Sequence, residues 1–379
     1  MVAGVVGGLS AAFVVVRDVT HGGHLGSFAL AGTTFVHPGA PGDLPVRAAS
    51  TGYDGQFYYR LALDPLTRQV TQFHITLDSP SYRQQRIGLP VLAWLVREAV
   101  RAPTSLALVL VNVVALVLLG FAGARLALQW NRAPWWGVAL AVSPALVMAL
   151  ARDLTEPMAT AGLVVGLLWW VRGRVWWAAG AFTVAVLCRE TVLVLLFGMA
   201  LWCVGQLVGT RVPRRASAAK VGALCVPAAI EISWQFYLKH VWGGPLPTRS
   251  GHGQVGIILV RPLRTLFLYA GQIGPTHQGV LDAVWLLERF LLLALLIVVA
   301  SGLMRSIAPP EIRLGWVFAA LLATSVAWNQ DVQFVRSANE AIVVGQLLLL
   351  ARKDQIARVT AVGVAGWSAV VAVIYAAAL

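Results

Sequence analysis

The chain has 379 residues, 58 % of them hydrophobic and only 12 % charged, and its mean hydropathy is +0.75. Soluble domains carry about a quarter charged residues, so the composition excludes one and points to an all-α polytopic membrane protein, a single integral domain over 1–379. The net charge of +13 is read as topology and attraction to the phosphates of a lipid bilayer, and nucleic acid is excluded as a partner.

A helix needs about 20 apolar residues to cross the hydrocarbon core, fewer when its ends are shielded by protein. In chain order the candidate spans are 2–16, 105–124, 134–150, 157–171, 175–188, 191–208, 220–238, 285–304, 314–328, 339–351 and 359–378, eleven in all. The first lacks the basic leader and small-residue cleavage site of a signal peptide and reads as a retained anchor. Loop 17–104 follows, with two expected interfacial helices, one within 51–65 and one at "RIGLPVLAWLVREAV" (86–100). A second long loop covers 239–284. Its stretch "IILVRPLRTLFLYAG" (257–271) carries Arg261, Pro262 and Arg264, which make a full span expensive, so an interfacial or re-entrant helix is expected. The short connections 125–133, 172–174, 209–219, 305–313 and 352–358, with Lys220, hold thirteen of the 29 Lys and Arg against two acids, Glu311 and Asp354. By the positive-inside bias these face the cytoplasm of a plasma (inner) membrane, and both long loops face out.

The remaining charged motifs then fall on the outer side. In "TGYDGQFYYRLALDP" (51–65), helical spacing puts Tyr53, Phe57, Tyr58 and Leu61 on one broad face with Asp54 inside it, while Gln56 and Arg60 point away. Asp54 is therefore a candidate catalytic group, although it could also cap the helix beginning at Gly55. "DSPSYRQQRIG" brings Asp78, Tyr82, Arg83 and Arg86, and "ARDLTEP" (151–157) brings Arg152, Asp153 and Glu156. The last two could be catalytic acids or an acid pair favoured by a helix N-terminus. "CRET" brings Arg189 and Glu190, and "NQDVQFVRS" brings Asp331 and Arg336. Arg83 and Arg86 could instead anchor a helix at headgroups, and Arg336 could snorkel.

Other features carry less. Cys188, Cys203 and Cys225 have no motif spacing and read as buried small hydrophobes. His21, His24, His37, His74, His240, His252 and His277 all fall outside, but only "HGGH" hints at ligand spacing and no third ligand follows, so neither metal nor cofactor is expected. Glu231, midway along its span, has to face the bundle or a wet cavity.

A transferase outside the cell has no nucleotide-sugar supply and needs a membrane-borne donor. A polyprenyl-phosphate sugar fits, with an aspartate to take the acceptor hydroxyl proton and arginines to hold the leaving phosphate. "GYDGQFYYRLALDP" followed by "YRQQRIGLPVLAWLV" resembles the first-loop signature of bacterial GT-C-type membrane glycosyltransferases, in the layout of the GPI-mannosyltransferase-like branch. "ARDLTEPMATAGLVVGLLWW" and "VAVLCRETVLVLL" resemble the turns and spans that follow. The resemblance covers 50–200, and the remainder agrees only in hydropathy. It implies a GT-C fold, Asp54 at the catalytic acid position and Asp153 or Glu156 in the second acidic loop. It also implies transfer from a polyprenyl-phosphate sugar to a glycan or glycolipid acceptor. The substrate-binding set expected around these acids is Tyr53, Gln56, Tyr58, Arg60, Tyr82, Arg83, Arg86, Arg152, Arg189, Glu190 and Arg336. Two departures stand out: no D-x-D pair at Asp54 and no large C-terminal soluble domain. A transporter or flippase for lipid-linked substrates is the first alternative, but repeated halves are not visible. A multi-span acyltransferase is the second, but no His-Asp motif supports it.

Overall fold

Apolar segments satisfy their backbone polar groups in a lipid-like interior by coiling into helices, and the chain is all-α, 74 % helical. The structure, a computed structural model, describes residues 1–209, 214–243, 258, 260–271, 277–325 and 333–378. Asp331, His252, Arg211 and much of loop 239–284 lie outside the described residues.

The helices are α1 (Val2–Thr20), α2 (Gly55–Leu63), α3 (Pro80–Gln84), α4 (Gly88–Val100), α5 (Thr104–Gln129), α6 (Trp136–Ala141), α7 (Pro144–Leu150), α8 (Glu156–Val171) and α9 (Val175–Cys188). They continue as α10 (Val192–Val208), α11 (Arg214–Trp242), α12 (Val260–Ala270), α13 (His277–Ser301), α14 (Pro310–Ser325), α15 (Gln333–Ser337), α16 (Asn339–Leu350) and α17 (Gln355–Ala378). Each of the eleven apolar segments contains helix. Among the described residues four helices are long and apolar enough to cross a membrane, over Val2–Thr20, Thr104–Gln129, Arg214–Trp242 and Asp282–Ser301, which points to a membrane protein. Several others are shorter apolar helices.

The expected span at 134–150 is instead two helices, α6 and α7. Pro144, at the start of α7, lacks an N–H and crowds the carbonyl of the preceding turn, so continuous helix stops at Val142. Among the described residues of 257–271 the helix is the eleven-residue α12, about 16 Å long and half of what a span needs.

Helix α5 is central, packing on α1, α4, α6 and α8, with α9 laid along α8. Gly137 of α6 sits so close to α5 that a Cβ there would stand 2.1 Å from the Gly120 carbonyl oxygen; small residues let these backbones meet. Helix α11 crosses α9 and α10, and α10 pairs with α14. Glu231 on α11 is buried and accepts from Gln235 at 2.6 Å, so it faces the bundle. Cys188 and Cys203 are buried, but Cys225, contrary to expectation, is exposed.

The first long loop is tied to this bundle at several points. The Asp43 carboxylate accepts from the Tyr59 hydroxyl and from the Ser105 N–H and hydroxyl at the start of α5. The Gln84 amide of α3 donates to the Pro65 carbonyl at 2.7 Å and accepts from the Trp242 indole at 2.7 Å. Strands β1 (Ala31–Gly32) and β2 (Val46–Arg47) pair in parallel, and β3 (Thr71–Gln72) and β4 (Ile75–Thr76) form a tight hairpin.

Candidate functional site

Asp54 stands at the N-terminal boundary of α2 but makes no side-chain cap hydrogen bond; capping is not its role here. Its Oδ1 accepts from Arg83 Nη1 at 2.7 Å, and Arg336 Nη2 lies 3.7 Å from Oδ2. Arg83 also grips Asp78 with two bonds, at 2.8 and 2.7 Å. Burial alone would raise the Asp54 carboxyl, but the charges of Arg83, Arg336 and Arg86 outweigh it and hold it below its ordinary value.

Arg336, on α15, joins Asp54 to a second acid. It approaches Glu156 Oε1 at 2.7 Å and donates to the Tyr53 hydroxyl at 2.9 Å. Arg189, just after α9, reaches the same Glu156 oxygen at 2.6 Å, the Arg336 carbonyl at 2.8 Å and Glu340 of α16 at 2.9 Å. Glu156 is fully buried, and its other oxygen, Oε2, accepts nothing among the described residues. Beside this chain of charges Arg86 forms a two-bond pair with Glu190 at 3.0 and 2.9 Å. Burial works against ionisation of Glu190, yet the Arg86 charge pulls its carboxyl down to about 2.

The aromatic residues serve the guanidinium groups. Arg83 lies 4.3 Å above Phe57, Arg83 and Arg86 both lie over Tyr82, and Arg152 sits 4.5 Å above Tyr53. Each such contact favours the cation at the ring face. Tyr58 is buried against Met148, Ala149, Leu154 and Trp285, and burial pushes its hydroxyl up to about 12. It is a wall of the site. Arg152 differs from its neighbours: among the described residues no carboxylate pairs with it, and it remains half-buried rather than sealed.

The approach of α2 depends on Gly55. A Cβ there would stand 2.3 Å from the Arg152 carbonyl oxygen and 2.9 Å from that of Ala29. Only glycine lets the start of α2, and with it Asp54, rest against the turn that carries Arg152 and Glu156.

Three expected site residues lie elsewhere. Arg60 is fully buried and is spent on the loop after α2, donating to Thr67, Gln72 and the Gln69 carbonyl. Gln56 accepts from the Gly32 N–H and donates to the Thr51 carbonyl, fixing the chain before Asp54. Asp153 takes a left-handed backbone (φ 48°) and turns away from Glu156. Its carboxyl is fully buried beside Asn112 and near the charge of Arg17, with no well-formed hydrogen bond to either oxygen among the described residues. Burial raises that carboxyl well above its usual value despite Arg17. Asp153 is thus not a partner of Asp54.

Glu340 and Thr191 join the cluster without having been expected from the sequence. Thr191 Oγ1 accepts from Arg189 and donates to Glu340, both at 2.9 Å. An available signal was the rarity of acids, sixteen in the chain: Glu340 opens an apolar run that a purely structural helix start does not need. No protein-family model and no curated protein matches this chain, so the chemistry of the cluster rests on its own residues.

Proposed function

We propose that this protein is a GT-C-type membrane glycosyltransferase that moves a sugar from a polyprenyl-phosphate donor to an extracytoplasmic glycan or glycolipid acceptor. On this reading about eleven helices cross a plasma (inner) membrane, and the cluster opens outward. The carrying observation is the placement of one aspartate between two arginines, with a tyrosine and an arginine that pairs with no carboxylate among the described residues alongside. Asp54 accepts the proton of the acceptor hydroxyl as its oxygen attacks the anomeric carbon. The bond from that carbon to the phosphate oxygen breaks, and its electron pair leaves with the phosphate.

The arginine network supports a division of labour. A base has to be ionised before it can act, and the guanidinium charges keep Asp54 so at neutral pH; they also weaken its hold on a proton. Arrival of a phosphate relieves this, because it competes for Arg336, the looser of the two partners at 3.7 Å. Arg152, with no carboxylate of its own, supplies the first grip on that phosphate. The unfilled Glu156 Oε2 offers an acceptor to a sugar hydroxyl, and a donor there would satisfy a buried charge.

The arrangement at the two ends of the bundle supports the topology. Segments expected outside meet at the Asp54 cluster. Segments expected inside meet elsewhere: Lys220 pairs with Glu311 at 2.6 Å, and Arg132 donates to the Leu350 carbonyl at 3.0 Å. The test is transfer of radiolabelled sugar from a panel of polyprenyl-phosphate donors in membranes carrying the protein. Incorporation that depends on the protein supports the reading, and no incorporation from any donor removes it.

A further inference from the structure

A cavity of about 510 Å³ lies at the opposite end of α2 from Asp54, between the loop after α2, the β3–β4 hairpin and α4. That volume is within the range of ligand pockets, roughly 300–1,000 Å³. Its walls include Leu66, Val91, Phe73, Trp94, Asp64 and Gln72. The hairpin turn is unusual. Phe73 and His74 both have positive φ, 52° and 59°, a turn that favours Asn-Gly. An aromatic residue bears the strain of a left-handed backbone there and is still 39 % exposed. Arg60 covers its ring at 5.4 Å, and Trp94 stands 36 % exposed on α4. Gln72 is oriented by its neighbours, since its Oε1 accepts from Arg60 and Thr67 at 2.8 and 3.0 Å. The amide NH₂ is therefore the end left for a ligand. The Asp64 carboxylate accepts no hydrogen bond among the described residues and is only half-buried.

We infer that this cavity is a carbohydrate subsite that holds a distal part of an oligosaccharide acceptor. Two aromatic rings, a fixed amide donor and a free carboxylate acceptor match the apolar faces and hydroxyls of a pyranose. An isoprenoid or acyl chain would leave both polar groups unpaired, which costs free energy. Helix α2 has nine residues, about 13 Å at 1.5 Å each. A ligand reaching from the cavity to Asp54 is therefore an extended glycan and not a single sugar. The inference rests on the glycosyltransferase reading, but its test does not require transfer. The full chain in detergent is applied to an array of immobilised linear oligosaccharides, from disaccharides to hexasaccharides. Wild type should retain at least one member of three or more rings. Trp94→Ala and Asp64→Asn should retain it at least tenfold less, and excess polyprenyl phosphate should not displace it. No retention of any glycan, or equal retention by Trp94→Ala and Asp64→Asn, overturns the inference. Displacement by polyprenyl phosphate also overturns it and makes the cavity an isoprenoid groove. Binding without transfer would remove the enzymatic reading and keep the subsite; transfer without binding would do the reverse.

Discussion

At the residue scale, the arginines of the cluster divide by what they already hold. Arg83 serves Asp54 and Asp78, and Arg86 is fully engaged with Glu190, whereas among the described residues Arg152 meets the Tyr53 ring and no carboxylate. Arg152→Ala should therefore weaken donor binding while leaving the fold intact. Loss of one charge-assisted bond of about 1.5–3 kcal/mol corresponds to a donor KM raised roughly ten- to hundredfold, read from transfer kinetics. Arg86→Ala should act on stability instead. It strands Glu190, at a cost of about 3 kcal/mol, the lower end for a buried pair because Glu190 keeps 31 % exposure. A thermal melt in detergent separates the two, and a stable Arg86→Ala protein with poor donor binding would reverse the assignment. Asp54 and Glu190 also set an acid limit. Both carboxyls are lower in the folded chain than in the unfolded one. Their contribution is thus complete above the ordinary carboxylate range, about pH 4, and is lost as pH falls toward about 2, the folded value for Glu190. The melting temperature should drop across that window, less steeply in Arg86→Ala; an equal slope in both would show that the pair contributes nothing to it.

At the scale of elements, the position of Asp54 depends on one close approach. Gly55→Ala puts a methyl against the Arg152 carbonyl, a backbone atom, so the backbone itself has to shift. The start of α2 should move out, separating Asp54 from Arg336, so kcat should fall by at least tenfold even in protein that still folds. Wild-type kcat in Gly55→Ala would show that the contact tolerates the methyl. Helix placement was legible from the sequence because lipid-scale apolar runs leave helix as their main option. The break at Pro144 was equally available from the residue itself but was hidden inside a run of the right length. Spacing on a helical wheel put Asp54 among its aromatic neighbours, yet the helix begins one residue later, and the rings turn to the arginines. That pairing comes from α3, the α7–α8 turn and α15, distant in sequence, and no local pattern reports it. Asp153 and Glu156 look like a pair at three-residue spacing. The left-handed backbone at Asp153 sends them into different surroundings, and this is a tertiary fact.

At the scale of the whole molecule, charges expected on one side gather at the Asp54 cluster, and those expected on the other gather around Lys220, Glu311 and Arg132. Orientation follows from labelling single cysteines in a chain without Cys188, Cys203 and Cys225. Gln69→Cys and Ala216→Cys occupy exposed positions near the two ends. Gln69→Cys should react with an impermeant thiol reagent in intact cells, and Ala216→Cys only after permeabilisation; the opposite pattern would place the cluster in the cytoplasm. The central claim, that Asp54 is the base for sugar transfer, is tested most directly by Asp54→Asn at matched expression. Asparagine preserves shape and hydrogen bonding but cannot take the proton, so turnover from the polyprenyl-phosphate donor should fall by roughly 10² or more, with donor binding little changed. Full turnover in Asp54→Asn would contradict the account and leave Asp54 as a structural partner of Arg83.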